Sequence, residues 1–208
     1  DDGMECDQDM GNYERFLYVD LTRTNYLTTG SVYLGVITRE RNLEYKGKQV
    51  EVVPHIPLAV IEQINAAARK SKADVVIVEI GGTVGEYQNI LFLEAVRMLK
   101  IKQPRNVLLI LVSLLPTLEA GGTELKTKPT QYAVRTLNAA GLQPDIVLAR
   151  AKVPVDDARK ERLALNCNLQ MEDIISAPTV SNIYEVPLNF EKDQLSNRIL
   201  KKLGLRSR

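Results

Sequence analysis

One acidic residue, Glu79, interrupts a run of β-branched residues in the segment 75–86, VVIVEIGGTVGE. Its neighbours Val78 and Ile80 predict apolar surroundings, where a carboxylate is costly to bury unless it is paired or binds a metal. The glycines that follow let the backbone approach a ligand closely. From these residues alone two interpretations stay open: a ligand-binding acid, or an acid that caps a turn or pairs with an arginine.

A second acidic group lies near the start of the chain, in ECDQDMG, and consists of Glu5, Asp7 and Asp9. If this segment is extended, the alternate spacing points the three carboxylates to one side. Oxygen ligands suit Mg²⁺, which usually takes only one or two carboxylates together with phosphate oxygens. The alternative is a solvated acidic terminus.

The segment 124–131, ELKTKPTQ, is predicted to open a helix, because Pro129 suits a first helical turn. Lys126 and Lys128 oppose the helix dipole there, each by about 0.3–1 kcal/mol. That cost is explained if an anion is bound by the two ammonium groups and the free backbone N–H groups. The alternative is two solvated surface lysines. Hydroxyl and amide groups that could orient a phosphorylated ligand are supplied by Thr127, Thr130 and Gln131.

Two further patterns carry less information. The basic residues Arg159, Lys160 and Arg162 fall on one predicted helix, and such a run is usually a solvated face. The 208 residues contain no GxxxxGK[ST] phosphate loop.

The elements that must position these residues alternate between strands and helices after Pro57. Residues 17–56 are rich in Thr, Tyr and Val and are predicted to be extended or irregular. Strands are predicted at 75–80, 107–114, 145–149 and 174–176, and helices at 57–72, 89–100, 130–140, 156–166 and 192–203. This order predicts an α/β fold, with a parallel sheet covered by helices on both faces. Ligands of such sheets bind at the carboxyl ends of the strands, and Glu79 lies near one of those ends.

Composition indicates one domain over residues 1–208. The net charge of +1 and the low aromatic content argue against a nucleic-acid partner. No apolar run reaches the roughly 18 residues of a membrane span. Two distant cysteines, Cys6 and Cys167, predict reduced thiols in a cytoplasmic protein. The chain begins at Asp1 within loop-like sequence, which indicates an internal start.

Taken together, several motifs resemble the CTP synthase family, specifically its N-terminal synthetase (amidoligase) domain. The resemblance covers essentially the whole chain and implies a fold similar to dethiobiotin synthetase, a P-loop NTPase-type parallel α/β sheet. The motifs that carry it, in order, are DQDMGNYERF, TTGSVY, VVPHI, VVIVEIGGTVGE, FLEAVRML, ELKTKPTQYAV and GLQPDIVLAR.

The resemblance implies that UTP is aminated to CTP. ATP phosphorylates the uracil 4-oxygen, and ammonia, released from glutamine by a separate glutaminase domain, displaces the phosphate. It also implies Mg²⁺ as a cofactor, inhibition by CTP and a homotetramer.

Site residues follow from the matched motifs. Asp9 and Glu79 are implied to bind Mg²⁺. The residues implied to bind UTP or CTP are Arg162 and the consecutive residues Lys126, Thr127, Lys128, Pro129, Thr130 and Gln131. ATP contacts are implied for Asp9, Arg150 and Val180, and a CTP feedback site for Glu86, Tyr87 and Gln88.

The sequence also departs from the family. Gln88 stands where many members have an acid, which puts the feedback site in doubt. The N-terminal segment with the phosphate loop and catalytic lysines, and the glutaminase domain, are absent from the 208 residues. We therefore expect this polypeptide alone to be inactive and its sheet to have unpaired edges. The alternatives are a non-catalytic relative that binds nucleotide or assembles with full-length subunits, and, disfavoured by KTKPTQ, another amidoligase.

Overall fold

The computed structural model describes residues 6–117 and 124–206. The chain divides into two compact units, one formed by Asp1–Gly82 with Glu86–Met98 and the other by Thr83–Gly85 with Leu99–Arg208.

Helices dominate the described part of the first unit. Helix α2 packs against α3, and the apolar residues that both helices bury form the core of this unit. The helices are α1 (Asp9–Leu17), α2 (Thr29–Arg41), α3 (Val52–Ser71) and α4 (Ile90–Lys102), of which the residues up to Met98 belong here. The buried apolar residues of α2 and α3 are Val32, Val36, Ile56, Pro57, Val60 and Ile61.

The prediction that residues 17–56 are extended or irregular is wrong for α2 and for the start of α3. A reciprocal cap begins α2, because the Ser31 backbone N–H donates to Thr28 Oγ1 and the Thr28 N–H donates to Ser31 Oγ, both at 3.1 Å. Such a cap satisfies N–H groups that the first helical turn leaves without partners. Val32 and Val36, one turn apart, then face the core.

The predicted strand at 75–80 is also wrong. This segment pairs with no strand among the described residues, and its apolar side chains face solvent. Val75 is 49% exposed and Ile77 is 89% exposed. Glu79 is exposed as well, so its carboxylate does not carry the cost of burial that its apolar neighbours suggested.

A parallel three-stranded sheet organises the second unit and confirms the predicted α/β class. Its strands, in the spatial order β1-β2-β3, are β1 (Ile110–Leu114), β2 (Ile146–Ala151) and β3 (Ile174–Pro178). Ile110 of β1 lies opposite Ile146 of β2. All three strands coincide with predicted ones, with ends shifted by a few residues.

Among the described residues, the α-helices that follow or connect these strands are α5 (Lys128–Ala139), α6 (Asp157–Cys167), α7 (Val186–Lys192) and α8 (Leu195–Leu203). The first two match the predicted helices closely. The last predicted helix, 192–203, instead begins after a break, because Gln194 has φ 55° and ends the preceding segment in a left-handed conformation.

Helices of this unit lie on both faces of the sheet, although Val112 and Leu114 of β1 remain exposed on one of them. On one face, Ile146 of β2 and Ile175 of β3 pack with Leu195 of α8 in a buried apolar cluster. On the other face, the hydroxyl of Ser113 in β1 lies 2.8 Å from the hydroxyl of Thr130 in α5. The helices therefore flank the sheet on both sides, as the sequence predicts.

Candidate functional site

Helix α1 brings an acid and a phenol to the same side of the first unit. Asp9 is the first residue of α1, and Tyr13 lies one turn later. The Tyr13 hydroxyl donates a hydrogen bond of 2.8 Å to Oε2 of Glu79, which is distant in sequence. This contact links α1 to the segment predicted to carry a metal ligand. The sequence interpretation missed Tyr13 because it treated this segment as extended, although Asp9 and Tyr13 have helical spacing.

The environment of Tyr13, including the acids around it, raises the pKa of its phenol. Burial, the hydrogen bond to Glu79 and the negative charges of Glu79, Asp9 and Asp7 together raise the pKa of the Tyr13 phenol to about 12, and burial contributes most. The phenol therefore stays protonated at neutral pH and acts as a donor to the carboxylate. It also follows that Asp9 and Glu79 both lie near one phenol, in an exposed and negatively charged region.

The donor set of Asp9 and Glu79 fits Mg²⁺ in chemical type. Mg²⁺ is held by one or two carboxylates and keeps several waters, which exposed carboxylates permit. Within residues 6–117 and 124–206, no group of three or more His, Cys, Asp or Glu side chains is placed to hold an ion. Glu5, the third acid of the predicted cluster, lies outside the described residues. Magnesium binding by Asp9 and Glu79 stays a prediction.

The predicted nucleotide segment of the second unit is held against the sheet. The Lys126 N–H donates to the carbonyl oxygen of Pro116 at 2.9 Å, and Leu125 forms an antiparallel bridge with Thr117. Residues 124–127 therefore run beside the chain that leaves the carboxyl end of β1. Lys128 then begins α5 and is exposed.

Three polar side chains at the start of α5 are buried: Thr127, Thr130 and Gln131 are 7%, 0% and 3% exposed. The Gln131 amide donates to Thr127 Oγ1 at 3.1 Å, and the Thr130 hydroxyl meets Ser113. The resemblance implies that these side chains contact nucleotide, and the structure gives them partners within the chain. Pro129, between them, is exposed in the first turn.

The first of the two lysines, Lys126, forms an ion pair with a carboxylate of the chain. Lys126 Nζ lies 2.6 Å from Oε1 of Glu124. The hydrogen bond and charge of Lys126 lower the pKa of Glu124, and the charge of Arg159 contributes in the same direction. The cation next to the helix start is therefore balanced within the chain, by an exposed acid that an anionic ligand can displace.

Arg159 contacts the segment 124–127, although the basic run to which it belongs was predicted to form a solvated face. Its Nε donates to the carbonyl oxygen of Leu125 at 3.2 Å, and its guanidinium pairs with Asp156. Asp156 also caps α6 by accepting from the Arg159 N–H at 2.9 Å. The sequence signal that could have indicated this role is Asp156, an acid at the helix start three residues before Arg159. Arg162, one turn further along α6, is exposed.

Two residues implied to contact ATP lie at the carboxyl edge of the sheet. Arg150 is in β2, opposite Ala177 of β3, and its side chain is exposed. Val180 follows the end of β3 and is half-buried. The two therefore belong to adjacent strand ends, where ligands of parallel sheets bind.

The residues implied in CTP feedback lie in the first unit around a short 3-10 helix, Tyr87–Asn89. The Gln88 amide donates to the carboxylate of Glu86, so these two side chains bind each other. Tyr87 is 92% exposed.

Both cysteines are free thiols, Cys6 exposed and Cys167 buried, as the sequence predicts. Burial raises the pKa of the Cys167 thiol to about 11, so this thiol is inert at neutral pH. Among the helices of the described residues, none combines the length and apolar character needed to cross a bilayer.

Known proteins share extensive sequence similarity with this chain. A family model described as CTP synthase N-terminus matches residues 1–205. A CTP synthase of Carboxydothermus hydrogenoformans is 48% identical over 206 residues, which are 99% of this chain and 38% of that protein. A CTP synthase of Methanocaldococcus jannaschii is 47% identical over 209 residues, covering 100% of this chain and 38% of that protein.

A CTP synthase of Chloroflexus aurantiacus is 46% identical over 205 residues, or 98% of this chain and 37% of that protein. The chain thus spans little more than a third of the length of these relatives. Since the family model covers nearly every residue, the chain belongs to the CTP synthase N-terminal family.

Proposed function

We propose that this chain is the nucleotide- and metal-binding part of an enzyme that aminates UTP to CTP. In this reaction ATP phosphorylates the uracil 4-oxygen, and ammonia from glutamine displaces the phosphate. The observation that carries the proposal is the family match over residues 1–205. Phosphoryl transfer needs positioning and charge neutralisation more than covalent chemistry from the protein.

Asp9 and Glu79 would hold the metal, with Asp9 also facing the ATP phosphates. Mg²⁺ would supply neutralisation of the charge on the transferred phosphoryl group. Tyr13 keeps Oε2 of Glu79 in a hydrogen bond of 2.8 Å, which leaves Oε1 for the ion. A hydrogen-bond donor to a metal-binding carboxylate fixes the orientation of that carboxylate.

The start of α5 would bind the triphosphate of UTP, and CTP would occupy the same place as product. Lys126 and Lys128 supply positive charge, and the first N–H groups of the helix point toward the anion. Lys126 reaches the phosphate by leaving Glu124, and Arg162 adds a further cation from α6. The buried Thr127, Thr130 and Gln131 hold the helix start in place.

ATP would extend along the carboxyl edge of the sheet, near Arg150 and Val180. Feedback inhibition by CTP at Glu86, Tyr87 and Gln88, assembly as a homotetramer, cooperation with a glutaminase domain and a cytoplasmic location belong to the same proposal. They are supported by membership of the family.

Binding of UTP to the 208-residue chain tests the proposal. Replacing Lys126 by Ala removes a charge-assisted contact of about 1.5–3 kcal/mol, so we expect the Kd for UTP to rise by about 10- to 100-fold. Isothermal titration calorimetry measures this change. The control is Lys102→Ala, at an exposed lysine of α4, which should leave the Kd within about 2-fold. Equal affinity of the unsubstituted chain and Lys126→Ala for UTP would contradict the assignment.

A further inference from the structure

Arg159 joins two structures that meet beside the proposed triphosphate site. Its Nε donates to the carbonyl oxygen of Leu125, and its guanidinium pairs with Asp156, the residue that caps α6. Leu125 immediately precedes Lys126 and is 4% exposed. The arginine therefore fixes the backbone from which the Lys126 side chain projects.

A second hydrogen bond holds the same backbone, and its partner lies earlier in the chain, after β1. The Lys126 N–H donates to Pro116 beyond the end of β1, so the peptide between Leu125 and Lys126 is bonded through both of its polar atoms. One bond depends on the sheet and the other on α6. Removing the bond from Arg159 leaves a buried carbonyl without its side-chain donor, which weakens the tether without deleting the sheet contact.

The charge of Arg159 also matters when a ligand arrives. Without ligand, Glu124 is balanced by Lys126 at 2.6 Å. A triphosphate that takes Lys126 leaves Glu124 ionised next to an anion. The positive charge of Arg159 already helps to keep the pKa of Glu124 low, and it remains when Lys126 turns away.

We propose that Arg159 is a positioning residue for nucleotide binding, which holds the Leu125–Lys126 peptide and leaves Lys126 free to exchange Glu124 for the ligand triphosphate. This inference rests on the proposed function of the α5 start. Arg159 acts through Lys126 and does not itself bind the nucleotide.

The structure supplies a closely matched control for Arg159→Lys. Arg198 also donates from Nε to a backbone carbonyl, that of Asp193 at 2.8 Å, and also contacts a carboxylate, that of Glu172 at 3.6 Å. The side chains of Arg159 and Arg198 are 28% and 23% exposed. Both changes to Lys keep the charge and lose the donor fork.

The first measurement is hydrogen exchange of the Lys126 amide in the ligand-free chain. We expect Arg159→Lys to accelerate this exchange by about tenfold, and Arg198→Lys to leave it unchanged. Unchanged exchange in Arg159→Lys would overturn the proposal, whatever the binding data show. A similar acceleration in both variants would also overturn it, since it would show general loosening.

The second measurement is a double-mutant cycle on the Kd for UTP. We expect Arg159→Lys to weaken UTP by about fivefold in the unsubstituted chain and to have no further effect in Lys126→Ala. Equal losses in both backgrounds would overturn the proposal, because Arg159 would then act independently of Lys126. If the unsubstituted chain binds no UTP, the proposed function fails, and the role of Arg159 in nucleotide binding fails with it. The exchange data test the hydrogen bond between Arg159 and the Leu125 carbonyl independently of UTP binding.

Discussion

At the scale of residues, an acid and a lysine that are implied to bind ligands have partners that the sequence does not reveal. Glu79 accepts from Tyr13, and Lys126 pairs with Glu124. The two cases differ in consequence. A phenol can hold one carboxylate oxygen while the other binds an ion, whereas an ion pair must open before Lys126 reaches a phosphate. The proposed metal site is therefore prearranged, whereas at the proposed triphosphate site Lys126 is already paired with an acid of the chain.

We expect Tyr13→Phe to weaken metal binding by about 10-fold, because Glu79 loses the donor that orients its carboxylate. Titration with Mn²⁺, followed by the electron paramagnetic resonance of the free ion, measures the Kd without any assay of activity. The control is Tyr18→Phe, since Tyr18 at the end of α1 is 95% exposed. Equal Mn²⁺ affinity in Tyr13→Phe and the unsubstituted chain would show that the phenol does not support the site.

At the scale of elements, local patterns predicted the second unit well. In the first unit they predicted α4 and most of α3, but they missed α1 and α2 and placed a strand at 75–80. The three strands and α5 have strong apolar runs or a proline at a helix start, and tertiary packing agrees with these local preferences. Residues 75–80 have the same β-branched character, but a strand exists only where a neighbouring strand completes its hydrogen bonds. Helix α2 was missed because the cap formed by Thr28 and Ser31 outweighs the low helix propensity of its residues.

Site geometry was predictable to a similar degree. The segment 124–131 was correctly predicted to open a helix, because Pro129 suits a first helical turn. The burial of Thr130 was not predictable, since a threonine within a polar motif gives no sign that β1 lies against it. The sequence therefore identifies the polar residues of the segment, whereas tertiary packing determines that Thr130 is buried and Lys128 is exposed.

The contact between α5 and β1 supports a prediction on stability. Replacing Thr130 by Val leaves the hydroxyl of the half-buried Ser113 without its partner, which should lower the free energy of unfolding by about 0.5–1.5 kcal/mol. Urea denaturation followed by circular dichroism measures it. Thr136→Val on the same helix is the control, because Thr136 is exposed and its hydroxyl bonds the Tyr132 carbonyl. A loss no larger in Thr130→Val than in Thr136→Val would contradict the prediction.

At the scale of the whole molecule, the implied ligand residues are distributed over two units. Asp9 and Glu79 belong to the first unit, whereas Lys126 and Arg150 belong to the second. Each group has its own supporting contacts, so metal binding and UTP binding can be measured and perturbed separately. The chain matches 38% of the length of its relatives from Carboxydothermus hydrogenoformans and Methanocaldococcus jannaschii. Binding by this chain and turnover by a whole enzyme are therefore separate questions.

We expect the polypeptide of these 208 residues, assayed by itself, to bind UTP but to form no CTP from UTP, ATP, Mg²⁺ and ammonia. Phosphoryl transfer needs a cradle for the transferred phosphate, and these residues include no GxxxxGK[ST] motif. Chromatographic separation of nucleotides after incubation with radiolabelled UTP detects small amounts of product. The CTP synthase of Carboxydothermus hydrogenoformans, assayed in parallel, is the positive control. ATP- and ammonia-dependent CTP formation by the 208-residue polypeptide, abolished by Lys126→Ala, would show that its own residues suffice for the transfer.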